Sequence, residues 1–371
     1  MGSVRLSPTL SYYIAKQYVV AFAMVLVAVL GLIMLFDVIE LIRRAAGHTQ
    51  AGIWAVLSLA FLKLPHMAHL IMPFVVMIGA MVAFWRLTRT NELVVARAAG
   101  ISAWEFLIPI LGFVMAFGVF EITVINPVGA AMFARFERLQ DEVLTNRGAV
   151  LDVSEMGLWL REGLDGGGQV VVHSDSVKQD GLQLDMKDVH IFVYDQPDHF
   201  SYRMSADTAS LEPGDFLLTD VWTMRAGEAS VHSDALRLVT SLTLERVKDN
   251  FASPETLSFW QLPGFIRFFE KAGFSAPKHR MYLQSLISSP ILYCAMVLIA
   301  ALFSLQPNQR SGGLLRRVVA GVATGFVLYF VSKVVYALGL SQSIPQVLAA
   351  WAPALIASFA GLGGLFHLED G

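Results

Sequence analysis

Residues 85–105 read WRLTRTNELVVARAAGISAWE, a short polar interval between two long apolar runs, and its reading decides how the chain is laid out. It reads as a small helix with both ends marked. Thr90 or Asn91 can cap the N-terminus, and Glu92 falls in the first turn, where the helix dipole favours an anion. Arg97 lies near the other end, and Gly100 stands where a left-handed residue closes a helix. At about 100° per residue, Leu93, Val94, Ala98 and Ile101 share one side, and Val95, Ala96 and Ala99 the other. A helix apolar nearly all round needs cover on two sides. One cover is the membrane or the protein's own bundle, and the other is a partner. The rival is an interfacial turn that merely links two membrane helices, and pattern alone leaves both open.

The runs on either side have membrane length. Residues 18–36 are apolar and uncharged, about the length that spans a bilayer, and they end at Asp37, Glu40, Arg43 and Arg44. A second run covers residues 54–85, broken by Lys63, Pro65, His66, His69 and Pro73, so its first third projects beyond the hydrocarbon. A third covers 104–125 and stops at Asn126-Pro127; three more are expected at 282–305, 314–338 and 347–368. Hydrophobic residues make up 55% of the chain and the mean hydropathy is +0.58, high for a soluble globular protein. Cys294 is the only cysteine, so no intramolecular disulfide forms. The first run is too long for a cleavable signal peptide, and no small-residue cleavage site ends it.

Between the third and fourth runs the period changes from helical to alternating. Strands are expected at 157–161, 170–173, 189–194, 208–211, 216–222 and 238–244, separated by turn clusters at 165–168, 180–181, 196–198 and 213–215. Many strands at roughly ten-residue spacing without helices between them favour an antiparallel sandwich or roll with a greasy interior. Residues 147–253 carry nine Lys/Arg against eighteen Asp/Glu, a net of −9, while the remainder carries 18 against 12, or +6. The expected architecture is α+β: residues 1–140 with three spans, 141–255 as a β-domain, and 256–371 with three more.

Short loops set the orientation. Arg5, Lys16, Arg86, Arg89, Arg97, Arg310, Arg316 and Arg317 fall on one side, and only Arg43 and Arg44 on the other. The positive-inside rule puts both termini in the cytoplasm and the β-domain outside.

The chemistry is largely one of exclusion. No G-x-x-x-x-G-K-[ST] occurs, and residues 166–168 have no lysine after them, so no P-loop is present. His66 and His69 share a helix face, but H-E-x-x-H is absent and no third ligand stands nearby, so an interfacial cluster outweighs a metal site. Asp37 and Glu40 are candidates for a proton relay, against the simpler pairing with Arg43 or Arg44. Arg43, Arg44, Lys63, Arg135 and Arg138 gather on the outer side, where cations are normally sparse. They suit anionic headgroups such as phosphates, or they pair with Glu40, Glu137 and Asp141. Trp159, Phe192 and Phe216 are the aromatic residues expected to line an apolar groove in the β-domain.

Several stretches resemble the LptF/LptG family of lipopolysaccharide export permeases, its LptG branch more closely. They are Leu10-Ser-Tyr-Tyr-Ile-Ala-Lys16, Phe36-Asp37, Thr90-Asn-Glu-Leu-Val-Val-Ala-Arg-Ala-Ala-Gly-Ile-Ser102, Gly157-Leu-Trp159, and VVAGVATGFVLY at 318–329. The resemblance covers essentially the whole chain, and the Asn91–Ser102 stretch is its most specific part. It implies six membrane helices with a periplasmic β-jellyroll between helices three and four, in the inner membrane of a Gram-negative bacterium. It further implies pairing with LptF, drive by a dimer of the ATPase LptB, association with LptC, and delivery of lipopolysaccharide toward periplasmic LptA. ATP and Mg would belong to LptB, with no cofactor, metal, catalytic residue or nucleic acid in this chain. Glu92, Leu93, Val94, Arg97 and Gly100 would then form the coupling helix that docks into LptB. The chain departs from the family at Met34, where a lysine is usual, in its basic pair shifted to Arg43 and Arg44, and at His66, where a lysine follows the proline. The rivals are a permease or assembly factor for another lipid, and a membrane metalloprotease around His66 and His69.

Overall fold

The computed structural model describes residues 8–45, 53–98, 100–140, 151–154, 157–163, 168–180, 183–196, 199–212, 214–225, 227–240, 253–271, 276–305 and 313–370. Among the described residues six helices are long and apolar enough to cross a membrane. They are α1 (Pro8–Ala45), α2 (Ile53–Arg89), α4 (Ala103–Phe120) continued through a π-turn (Glu121–Ile125) into α5 (Asn126–Gln140), α7 (Pro277–Ser304), α8 (Gly313–Leu340) and α9 (Gln346–Asp370). The short α3 (Glu92–Ala98) joins the second and third spans, and α6 (Leu262–Lys271) precedes the fourth. The expected spans are all present; α1 and the third span run well past their expected ends in polar turns, whereas α7 stops at Ser304 and α8 at Leu340, close to theirs. Two compact units result, one of residues 1–136, 258–262 and 277–371, the other of residues 137–257 and 263–276.

The helical core is built where apolar residues meet on several helices at once. Tyr18 and Phe22 of α1, residues 72–84 of α2, Phe106, Leu107, Ile110 and Val114 of α4, and residues 293–301 of α7 are buried together. Glycines set the closest approaches: a Cβ on Gly118 would fall 2.9 Å from Pro290 Cα, and one on Gly79 would fall 3.0 Å from Phe22 Cα. Among lipid tails, where apolar area gives little drive, such backbone proximity is what makes helices associate. Pro65, Pro73, Pro109, Pro290 and Pro353 sit inside spans, as membrane helices tolerate.

The second unit is a single antiparallel sheet in sequence order. Its strands are β1 (Leu151–Ser154), β2 (Gly157–Gly163), β3 (Gln169–Asp180), β4 (Gln183–Gln196), β5 (His199–Glu212), β6 (Asp215–Arg225) and β7 (Val231–Val239). The strands run longer than expected, because cross-strand pairing carries polar residues that sequence alternation alone assigns to turns. β1 was not anticipated, nor was most of β7: the strand expected at 238–244 shares only 238–239 with it, and 241–244 lie outside the described residues. Leu160, Val172, Ile191 and Met204 pair in one row and are all buried. Leu184, Met186, Val189, Leu218 and Val221 share that inner face at 0% exposure. Among the described residues one sheet supplies this whole core, which requires it to roll over its own inner face.

Candidate functional site

The helix α3 is closed as its residues demand. Gly100 adopts φ +84°, its N–H donates to Arg97 O, and Ile101 N–H donates to Ala96 O, the pair of bonds that ends a helix at a left-handed glycine. The start differs from expectation. Thr90 turns its hydroxyl back to Arg86 O and Leu87 O, satisfying the last carbonyls of α2. Asn91 takes a left-handed φ of 58° that breaks α2, and its backbone carbonyl accepts Val95 N–H. Leu93 is buried in the helical core, whereas Val95 is 67% exposed and Arg97 and Ala98 face outward. Glu92 is half-buried in the first turn; the side chain of Val94 lies outside the described set. One side of α3 is therefore covered by its own bundle and the other is open.

The basic residues expected on the outer side divide into two kinds. Arg43 and Arg44 both donate to Glu40 at 2.8 Å, on an exposed face of α1. Lys63 of α2 donates to Asp37 of α1 at 2.6 Å and also stands 5.7 Å above the Phe136 ring of α5. Asp37 and Glu40 are thus engaged by cations. Arg135 and Arg138 are exposed on the last turns of α5, while Glu137 accepts the Ser253 hydroxyl and Asp141 lies outside the described residues. His66 stacks on Phe133 at 4.4 Å, and His69 points Nδ1 at Glu121, so the two rings part rather than converge. No group of three metal-ligating side chains occurs among the described residues.

In the sheet, register separates the three aromatic residues expected to line one groove. Phe216 is 1% exposed on the inner face. Trp159 alternates with buried Leu158 and Leu160 and is 40% exposed; Phe192 alternates with buried Ile191 and Val193. Because successive residues of a strand point to opposite faces, Trp159 and Phe192 belong to the outer face. There Trp159 lies 4.1 Å from His173, which stacks with His190.

Residues 12–366 match the family described as lipopolysaccharide export system permease LptF/LptG. The chain belongs to that family. It is 23% identical over 357 residues to the lipopolysaccharide export system permease protein LptG of Haemophilus influenzae, covering 94% of this chain and 95% of the relative. It is 24% identical over 365 residues to the LptG of Escherichia coli K12, covering 93% and 94%. Six apolar helices with an antiparallel sheet between the third and fourth are what this LptF/LptG chain shows.

Three residues of this LptF/LptG bundle escaped the sequence reading. Glu121 is buried in the third span, where its two oxygens meet His69 and Tyr293, each at 2.7 Å. Lys333, in the fifth, lies 5.3 Å from the Tyr329 ring centroid and 5.9 Å from that of Tyr336. A lone carboxylate or ammonium in an apolar run is itself a signal of function, and both were visible in the string. Tyr293 carries no such mark; it is 172 residues from Glu121 and meets it only in the fold.

Proposed function

We propose that this chain is the transmembrane subunit of an ABC transporter that extracts lipopolysaccharide from the inner membrane and passes it toward a periplasmic bridge. Both termini lie in the cytoplasm and the β-domain in the periplasm. LptF is the paired permease, a dimer of LptB binds ATP and Mg and docks on α3, and LptC and LptA continue the path. Glu92, Leu93, Val94, Arg97 and Gly100 carry the contact with LptB. Arg43, Arg44, Lys63, Arg135 and Arg138, with Lys333 added, meet the anionic headgroup. Acyl chains cross the inner face of the sheet around Phe216, with Trp159 and Phe192 removed from that lining.

The observation that carries the reading is the uneven cover of the spans. The apolar stretches of α1 and α8 are each 11% buried, against 56% for α2 and 67% for α7. Spans one and five therefore present apolar faces to which a partner permease and a lipid can both come, whereas spans two and four are the scaffold. Co-purification decides it: LptF and LptB come down with this chain, and the bound lipid is lipopolysaccharide. A different bound lipid, with the β-domain retaining it when ATP is added, would establish a permease or receptor for another lipid instead.

A further inference from the structure

Among the described residues Glu121 is the one carboxylate buried in the helical bundle, its side chain 3% exposed. A charge in that setting is costly unless it is paired and hydrogen-bonded. Its two oxygens are engaged separately. Oε2 accepts the Tyr293 hydroxyl at 2.7 Å, and Oε1 lies 2.7 Å from Nδ1 of His69. The Nδ1···Oε1 contact joins a ring nitrogen to a carboxylate oxygen with a proton between them. That fixes the imidazole and leaves Nε2 at its opposite edge, in a side chain that is 26% exposed.

The carboxylate is itself held firmly. The π-turn at Glu121–Ile125 frees backbone groups that other residues satisfy: Trp260 Nε1 donates to Thr123 O at 3.2 Å. Asn126 Oδ1 accepts Phe259 N–H at 2.8 Å, and its amide nitrogen donates to Tyr282 at 3.4 Å. Wide turns of this kind inside helices commonly mark functional positions.

The surroundings of His69 are basic. Lys63 and His66 precede it on α2, and Lys333 of α8 lies over Tyr329, whose ring meets that of Phe74 on α2 at 5.0 Å. The acids and phenols facing this group are Asp37 (already bonded to Lys63), Glu121, Tyr293, and Tyr329 and Tyr336 beside Lys333. Lys333 forms no ion pair among the described residues and rests between two tyrosine rings. Depth agrees. At 1.5 Å per residue, Glu121 lies roughly 27 Å along its span from Ala103, and Lys333 roughly 30 Å from Gly313. With a hydrocarbon layer of about 30 Å, both reach the level where apolar chains give way to headgroups.

We infer that Glu121 is a positioning residue for lipid recognition: it holds the His69 ring so that, as an imidazolium between the Glu121 carboxylate and a headgroup phosphate, it donates Nδ1–H to the one and Nε2–H to the other, beside Lys63 and Lys333. The inference rests on the outer basic cluster being the headgroup site. The test uses the full chain in lipid nanodiscs with two probes, lipopolysaccharide and the same lipid enzymatically dephosphorylated. Wild-type protein binds the phosphorylated form more tightly. Glu121→Gln and His69→Gln each weaken that form by about tenfold and leave the dephosphorylated form unchanged. The double variant binds no more weakly than either single, as for two residues acting as one unit. Tyr293→Phe keeps the preference, because it breaks only the Oε2 bond.

Equal losses for both probes, or additive losses in the double variant, would overturn the positioning role in favour of a purely structural one. If Glu121→Gln does not fold, His69→Gln carries the test alone, and an unchanged preference overturns the inference. A wild-type chain that binds the two lipids equally removes the headgroup reading itself, and the inference with it.

Discussion

The ammonium of Lys63 on α2 donates to the carboxylate of Asp37 on α1 at 2.6 Å, across 26 residues of sequence. The side chains are 24% and 14% exposed, and the second oxygen of Asp37 is buried without a hydrogen-bond partner. Span one, whose Tyr18 and Phe22 are buried in the core, is therefore tied to span two a second time by a mostly desolvated ion pair. Any lipid phosphate that engages Lys63 shares it with Asp37.

That sharing sets the first prediction. Lys63→Met strands a largely desolvated carboxylate and lowers stability by roughly 1–3 kcal/mol. Adding Asp37→Asn removes the stranded charge and restores most of the loss. Thermal melting of the purified single and double variants in nanodiscs checks both. A double variant as unstable as the single one refutes the pairing as the cause.

Glu92→Lys puts a cation at the first turn of α3 and inverts the charge offered to a partner. Folding is expected to survive, because Leu93 anchors the helix in the core. Retention of LptB on the purified chain is expected to fall by about tenfold, as interfacial charge reversals do. Pull-down with titrated LptB measures it, and unchanged retention rules out α3 as the contact.

Arg43 and Arg44 are 76% and 56% exposed and share Glu40. Exposed pairs add little to stability because water and salt screen them. Arg43→Ala with Arg44→Ala is therefore expected to leave melting unchanged. If the two guanidinium groups hold lipid phosphates, the half-saturating lipopolysaccharide concentration in the ATPase assay of the assembled transporter rises by at least tenfold. Melting that falls while lipid stimulation persists assigns the pair to structure.

What was legible in the string follows from which interactions are local. Span positions came through because twenty apolar residues in a row have one use. The closure of α3 at Gly100 came through because a left-handed residue nearly demands glycine. The pairing of Arg43 and Arg44 with Glu40 is a matter of helix spacing and was anticipated as an alternative. Lys63 with Asp37, and Glu121 with His69 and Tyr293, join different spans, and periodicity in an all-apolar helix does not say which side faces which neighbour. The faces of Trp159 and Phe192 were missed for a related reason: both strands are rich in apolar residues on either parity, and only register shows the inner one.

Gly118 tests the packing of spans three and four. A Cβ there lies 2.8 Å from Pro290 Cβ and 2.9 Å from its Cα, and neither proline atom can rotate away. Gly118→Ala is expected to destabilise the chain by roughly 1–3 kcal/mol. Gly112→Ala in the same helix meets nothing within 4 Å and, by helix propensity, is neutral or slightly stabilising. Paired melting curves in nanodiscs distinguish them, and equal curves would refute the tight contact.

The last prediction concerns the faces of the sheet. Phe216 lies at 1% exposure on the inner face, next to Leu218 at 0%, while Trp159 at 40% and Phe192 lie on the outer one. Among the described residues β1 and β7, the two ends of the sheet, share no ladder. An acyl chain that crosses the inner face displaces side-chain contacts there and leaves the outer face untouched. A photo-crosslinking residue in place of Phe216 is therefore expected to capture lipopolysaccharide only when ATP is supplied to the assembled transporter, and the same residue at Trp159 or Phe192 to capture none. Phe216→Ala is expected to cost the β-domain about 3–5 kcal/mol, so the crosslinker, an aromatic of similar bulk, is the gentler probe. Capture at Trp159 and Phe192 with none at Phe216 places the lipid on the outer face and removes the inner path, and capture at Phe216 without ATP makes the domain a static receptor.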